Sequence, residues 1–128
     1  MAQQETDKEK NEVSSITKDV FSLFVLYSWN PSVVMFTRES CPMCVRLKPI
    51  YKRLASKYEN ELNFFQVDAD KEEELRKKFI TDGVPTIHVF IKNDYIEVPF
   101  RKTTGYSETY LDGFLTDFLR RYKNEKKN

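Results

Sequence analysis

Two side chains in this sequence can exchange electrons: Cys41 and Cys44, three residues apart in Ser40-Cys41-Pro42-Met43-Cys44. Thiols at that spacing within one helical turn come close enough to form a disulfide. One sulfur can attack a substrate disulfide and the other can resolve the mixed disulfide that results. They are the only two cysteines in the chain, and His88 is the only histidine. Three such ligands are one short of a four-ligand Cys/His zinc site, and two cysteines do not make a disulfide-rich secreted scaffold. His88 lies inside the apolar run Ile87–Ile91, where a structural histidine is the expectation. No metal and no cofactor are expected.

The elements around the pair give it its chemistry. Val33–Thr37 is an apolar run suited to a buried strand. A helix is predicted from about Pro42 to Tyr58, with Leu47, Ile50, Tyr51, Leu54 and Tyr58 on one face and Arg46, Lys48, Lys52, Arg53 and Lys57 opposite. Cys41 then sits at the helix N-terminus, where unpaired N–H groups and the helix dipole stabilise a thiolate. Pro42 suits the first turn, since its missing N–H would have had no partner there. Arg38 and Arg46 flank the pair with positive charge, and Arg46 also begins the solvated basic face.

The rest of the chain reads as alternating strands and helices. Val13–Ile16 is a short strand, and Thr17 is placed to cap a helix running to about Trp29. Leu62–Val67 reads as a strand, Lys71–Phe79 as a helix, and Thr86–Ile91 and Tyr95–Phe100 as a hairpin turning at Asn93-Asp94. A closing helix from about Ser107 buries Leu111, Phe114, Leu115, Phe118, Leu119 and Tyr122. The order β-α-β-α-β-α-β-β-α gives an α/β protein with a mixed sheet flanked by helices on both faces. The helix after Thr17 is apolar nearly all round. Either the core absorbs it, or an exposed strip supports weak self-association.

At 128 residues one domain is expected, over 13–122, between an acidic tail at 1–12 and a basic tail at 123–128. The first twelve residues carry net −2 and the last nine net +4, leaving −1 for residues 13–119. The overall charge of +1 argues against a nucleic-acid partner. No apolar run is long enough to span a bilayer. Val20–Tyr27 follows nineteen mixed-charge residues and lacks a small-residue cleavage site, so a cytoplasmic setting is expected.

Asp82-Gly83-Val84-Pro85-Thr86 places a proline at the mouth of a central strand, where only a strand's first residue tolerates one. With Cys41-Pro42-Met43-Cys44, Pro49 in the following helix, Val67-Asp68 and Gly105, the chain resembles the thioredoxin superfamily over about residues 13–122. The 44 residues from Cys41 to Pro85 fit thioredoxins and are fewer than glutaredoxins usually have. The resemblance implies a thioredoxin-like three-layer α/β/α sandwich with Cys41 and Cys44 as the catalytic pair. It also implies a cis bond before Pro85 that brings the Val84 backbone to the cysteines. Met43, Val84 and Tyr106 would rim Cys41, Gly105 would admit substrate on the far side, and Pro49 would kink the helix. Implied partners are protein disulfide substrates and a reductase or thiol electron donor.

The departures are specific. Ser40 stands where thioredoxins usually carry Trp, and Pro42-Met43 where they carry Gly-Pro. The Gly-Gly signature of glutaredoxins after the cis proline is missing. The buried acid six residues before the first cysteine is Met35, and the lysine often found near that acid corresponds to Phe64. In the family that acid is thought to take the inner cysteine's proton, so a slower or specialised reductase is expected. Two alternatives remain at this point: a non-catalytic interaction module using the Val84–Pro85 groove, and a glutathione-linked activity suggested by Pro42-Met43.

Overall fold

A computed structural model describes residues 13–79 and 83–127. The acidic tail at 1–12, Asp82 of the segment before Pro85, and Asn128 lie outside those residues. The elements are β1 (Ser14–Ser15), α1 (Lys18–Phe21, continuing as a π-helical turn over Ser22–Leu26), β2 (Ser32–Thr37), α2 (Pro42–Lys57), β3 (Asn63–Asp68), α3 (Glu73–Phe79), β4 (Thr86–Ile91), β5 (Asp94–Val98) and α4 (Glu108–Lys127).

Alternation along the strands sorts the apolar residues onto two sides of one sheet, because successive side chains point to opposite faces. Val33, Met35, Phe64, Ile87, Val89 and Val98 pack against Leu47, Tyr51 and Leu54 of α2 and Leu111, Leu115 and Leu119 of α4. On the opposite face Val34, Phe36, Val67 and Phe90 pack against Phe21 and Val25 of the first helical segment and Leu75 and Phe79 of α3. The strand order is β1-β3-β2-β4-β5, with β1–β3 and β2–β3 parallel and β2–β4 and β4–β5 antiparallel. The mixed sheet with helices on both faces is the α/β/α sandwich expected. Its central strand, β2, is buried along its whole length and points its C-terminal end at the cysteines.

Element boundaries differ where polar groups take over the backbone. Thr17 occupies the N-cap of α1, but its side chain makes no cap bond. The Glu72 carboxylate accepts from the Lys18 N–H at 2.9 Å instead, so an acid distant in sequence satisfies that end. The predicted long helix widens into the π turn closed by Tyr27 N–H donating to the Ser22 carbonyl at 3.1 Å. That path buries Phe21 and Val25 but leaves Leu23, Phe24, Tyr27 and Trp29 exposed, so the core does not absorb the whole segment. β5 ends at Val98, not Phe100, because Pro99 has no N–H for the ladder. α4 runs on to Lys127, carrying helix past residue 122 into the basic C-terminal stretch.

Polar ties lock α2 and α4 over the sheet. The buried Tyr51 hydroxyl sits 2.9 Å from the Val33 carbonyl and 2.7 Å from the Phe65 carbonyl, bridging β2 and β3. Arg53 pairs with Glu108 and Lys57 with Asp112 between the helices. Tyr58 joins Asp112 and Thr116 by hydrogen bonds. No helix among the described residues is long and apolar enough to cross a membrane.

Candidate active site

Cys41 is the N-cap residue of α2, with extended backbone at φ −95°, and Pro42 is the first helical residue. The Cys41 Sγ accepts a hydrogen bond from the Cys44 N–H at 3.2 Å. The helix end thus directs an otherwise unpaired amide at the outer sulfur. Cys41 is partly exposed and Cys44 fully buried, and both are free thiols. Burial pushes the Cys44 thiol up, and the hydrogen-bonded contact with Cys41 adds to this. The Thr37 hydroxyl and the Arg38 backbone act in the opposite direction. The two sulfurs therefore differ by environment: one open at a helix terminus, the other held protonated in the protein.

Facing them, the Val84–Pro85 peptide bond is cis. The Val84 carbonyl oxygen lies 3.9 Å from the Cys41 Sγ, so main chain approaches the outer sulfur directly. Pro85 is buried just before the first residue of β4, Thr86, whose hydroxyl bonds the Gly83 carbonyl. Gly105 has φ +64°, a left-handed conformation that glycine adopts without penalty. A Cβ placed on Gly105 would lie 3.7 Å from Met43 Cε. Met43 is 40% exposed, and Tyr106 is buried with its hydroxyl donating to the Val98 carbonyl at 2.7 Å. Met43, Pro85, Gly105 and Tyr106 all line one cleft of about 420 Å³ beside the pair. Val84 lines a neighbouring cleft of about 670 Å³ that shares Met43, Pro85 and Tyr106. Met43, Pro85 and Tyr106 thus line both clefts, with Gly105 in the first and Val84, the residue whose carbonyl approaches Cys41, in the second.

Phe100 and Lys102 line both clefts and were not singled out from the sequence. The signal was Pro99, which ends the strand and sends the next residues across the mouth of the site instead of along the sheet. Arg38 forms an ion pair with Asp70 at 2.9 Å, so its charge is matched locally. Arg46 is exposed on the rim of the cleft, as its place on the basic face implies.

Behind the thiols, Met35 is fully buried on β2. The register pairs Met35 with Gln66, whereas Phe64 pairs with Val33. Gln66 therefore stands directly opposite Met35 and lines a small cavity with Met35 and Tyr51, while Phe64, one step back on the same face, packs in the same buried cluster as Met35. Both residues are uncharged, so no acid–base pair of β2 and β3 side chains stands at that level. His88, buried on β4, donates Nε2–H to the Phe79 carbonyl at 2.7 Å, the only role a carbonyl partner allows that nitrogen. Burial lowers its pKa.

A dithiol at a helix N-terminus, opposed by a cis-proline loop and mounted on a five-stranded mixed sheet with helices on both faces, defines a protein of the thioredoxin fold. Comparison with known proteins agrees. A family model described as Thioredoxin matches residues 12–115. A thioredoxin of Borreliella burgdorferi is 38% identical over 87 residues, 66% of this chain and 74% of that protein. A thioredoxin of Buchnera aphidicola is 26% identical over 110 residues, 86% of this chain and 98% of that protein. Thioredoxin H4 of Arabidopsis thaliana is 40% identical over 60 residues, 47% of this chain and 50% of that protein. The chain belongs to the thioredoxin family.

Proposed function

We propose that this protein is a protein-disulfide oxidoreductase that cycles Cys41 and Cys44 between dithiol and disulfide. The observation that carries the reading is the asymmetric pair itself: Cys41 accepting a helix-terminal N–H and partly open, Cys44 buried one turn along. In the first step the Cys41 thiolate attacks one sulfur of a substrate disulfide. A Cys41–substrate bond forms, the substrate S–S bond breaks, and the departing sulfur leaves as a thiolate that takes up a proton. In the second step Cys44 loses its proton and attacks the Cys41 Sγ, displacing the second substrate thiolate. The substrate gains two electrons and two protons, and Cys41 and Cys44 are left as a disulfide. A dithiol donor or a reductase reverses that oxidation.

The Val84 main chain beside Cys41 and the apolar rim of Met43, Val84 and Tyr106 support the substrate as an extended segment laid across the groove. Reduction of an insulin disulfide with dithiothreitol as donor tests the reading. Turnover is expected in the wild type and is lost in both Cys41→Ser and Cys44→Ser. Wild-type turnover at the uncatalysed background would turn the reading toward a binding module that uses the groove without exchange.

A further inference from the structure

The groove is polarised, and its polarity rests on residues that the exchange chemistry does not use. The cleft beside Met43 is lined by the apolar side chains of Met43, Leu47, Ile50, Phe100 and Tyr106, and among the described residues its only charged lining residues are Arg46 and Lys102. Among the described residues neither cation stands within ion-pair distance of a carboxylate. Of the acids on the elements packed nearby, Glu108 is matched to Arg53, Asp112 to Lys57 and Asp70 to Arg38; Glu39, on the loop before Cys41, is in no ion pair among the described residues but does not line this cleft. Arg101 adds a third cation on the same loop, its guanidinium 4.5 Å above the Tyr110 ring. Among the described residues Glu97 is the one acid lining the neighbouring cleft, on the Val84 side. Residues 13–119 carry a net charge of −1, so this positive patch is a local arrangement and not a reflection of a basic domain.

Resting on the oxidoreductase reading above, we infer that the groove selects peptide disulfides whose cysteine is flanked, within two positions, by Asp or Glu. The Met43, Phe100 and Tyr106 floor takes an apolar neighbour of that cysteine, and Arg46 and Lys102 take the carboxylate. Charge complementarity picks this occupant: an acidic side chain fills the one unmatched feature of the cleft, while a basic one meets two like charges.

The test uses the full chain, reduced, with matched peptide disulfides differing only in Glu or Lys at the positions flanking cysteine. At low ionic strength kcat/KM is expected to favour the Glu peptide about tenfold, equivalent to about 1.4 kcal/mol. In about 0.5 M salt, where charges at the rim are screened, the preference is expected to fall close to parity. Arg46→Glu with Lys102→Glu should invert it, and the milder Arg46→Gln with Lys102→Gln, checked for folding by circular dichroism, should abolish it. Equal rates for the two peptides at low salt, with turnover intact, overturn the selectivity and leave the oxidoreductase reading standing. A preference that survives both variants overturns it as well. Oxidised glutathione is run alongside as a small anionic disulfide. Turnover equal to that of the Glu peptide would move the substrate class from peptides to small thiols and overturn the proposal. Failure to reduce any of these disulfides overturns the oxidoreductase reading itself.

Discussion

Replacing Met35 with Asp tests whether the resolving thiol is rate-limited by its own proton. Cys44 is fully buried and its thiol is raised above the ordinary range by that burial. An ordinary cysteine near pKa 8.5 is about 3% thiolate at pH 7, and Cys44 is below that. Resolution of the Cys41 mixed disulfide should therefore quicken about tenfold per pH unit between pH 6 and 8, since the thiolate is the attacking species. Met35 and Thr37 stand two residues apart on the same face of β2, and the Thr37 hydroxyl acts on the Cys44 thiol. A carboxylate at position 35 would sit about 7 Å behind Thr37 on the same face of the strand. As a general base it is expected to raise the pH 7 resolution rate by about a hundredfold and to flatten the pH profile. Emptying the packed Met35 site also destabilises the fold by about 2–5 kcal/mol. Met35→Asn shares that packing loss without accepting a proton. The assay is stopped-flow release of a chromophoric thiol from a preformed mixed disulfide on Cys41, beside urea denaturation of both variants. Equal rates and slopes for Asp and Asn would refute the proton argument, and a wild-type rate flat from pH 6 to 8 would refute the raised thiol.

Three further outcomes follow from particular residues. Gly105→Ala meets only ordinary contacts, at 3.7 Å or more, so its expected loss of about 1 kcal/mol comes from forcing φ +64° on a Cβ-bearing residue. Gly105→Asn should lose less in the same urea titration, and equal losses would place the effect in packing instead of backbone. Burial lowers the pKa of His88, with Glu97 opposite it on β5 pulling weakly the other way. The unfolded chain therefore takes up a proton that the folded one resists, and stability should decline as pH falls below about 6.5 and on through the depressed folded pKa. His88→Phe should lower Tm at pH 7.5 by leaving the Phe79 carbonyl without its donor, yet reduce the further drop on going to pH 5; an unchanged drop would count against the assignment. Trp29 is 88% exposed and precedes β2 at the end away from the cysteines, about 20 Å along the strand. Its emission should be solvent-like, readily quenched by acrylamide, and unaltered when Cys41 and Cys44 are oxidised.

Much of the site was legible because its logic is local. A cysteine at a strand-to-helix junction, a proline at the next turn position and a second cysteine three residues on specify an N-cap sulfur and a buried partner before any distance is known. Pro85 was legible for a related reason, since a missing N–H confines it to the mouth of a strand. The long apolar segment after Thr17 was not legible in detail. Its composition says that something must be buried, but the π turn decides that Phe21 and Val25 face the sheet while Tyr27 and Trp29 do not.

The sequence by itself determined the chemistry: two thiols, their spacing, the helix terminus that separates their environments, and the absence of an acid at position 35. Tertiary structure alone decided what surrounds that chemistry. Phe64 and Gln66 differ by two positions, and a shift of two residues leaves every side chain on the same face. The apolar pattern of β3 therefore cannot say which of them stands directly opposite Met35; only the parallel register with β2 does. Likewise Phe100, Lys102 and Arg46 reach one cleft from a loop and a helix far apart in the chain. Their convergence beside Cys41 depends on where Pro99 releases the backbone from the sheet, and packing fixes that position.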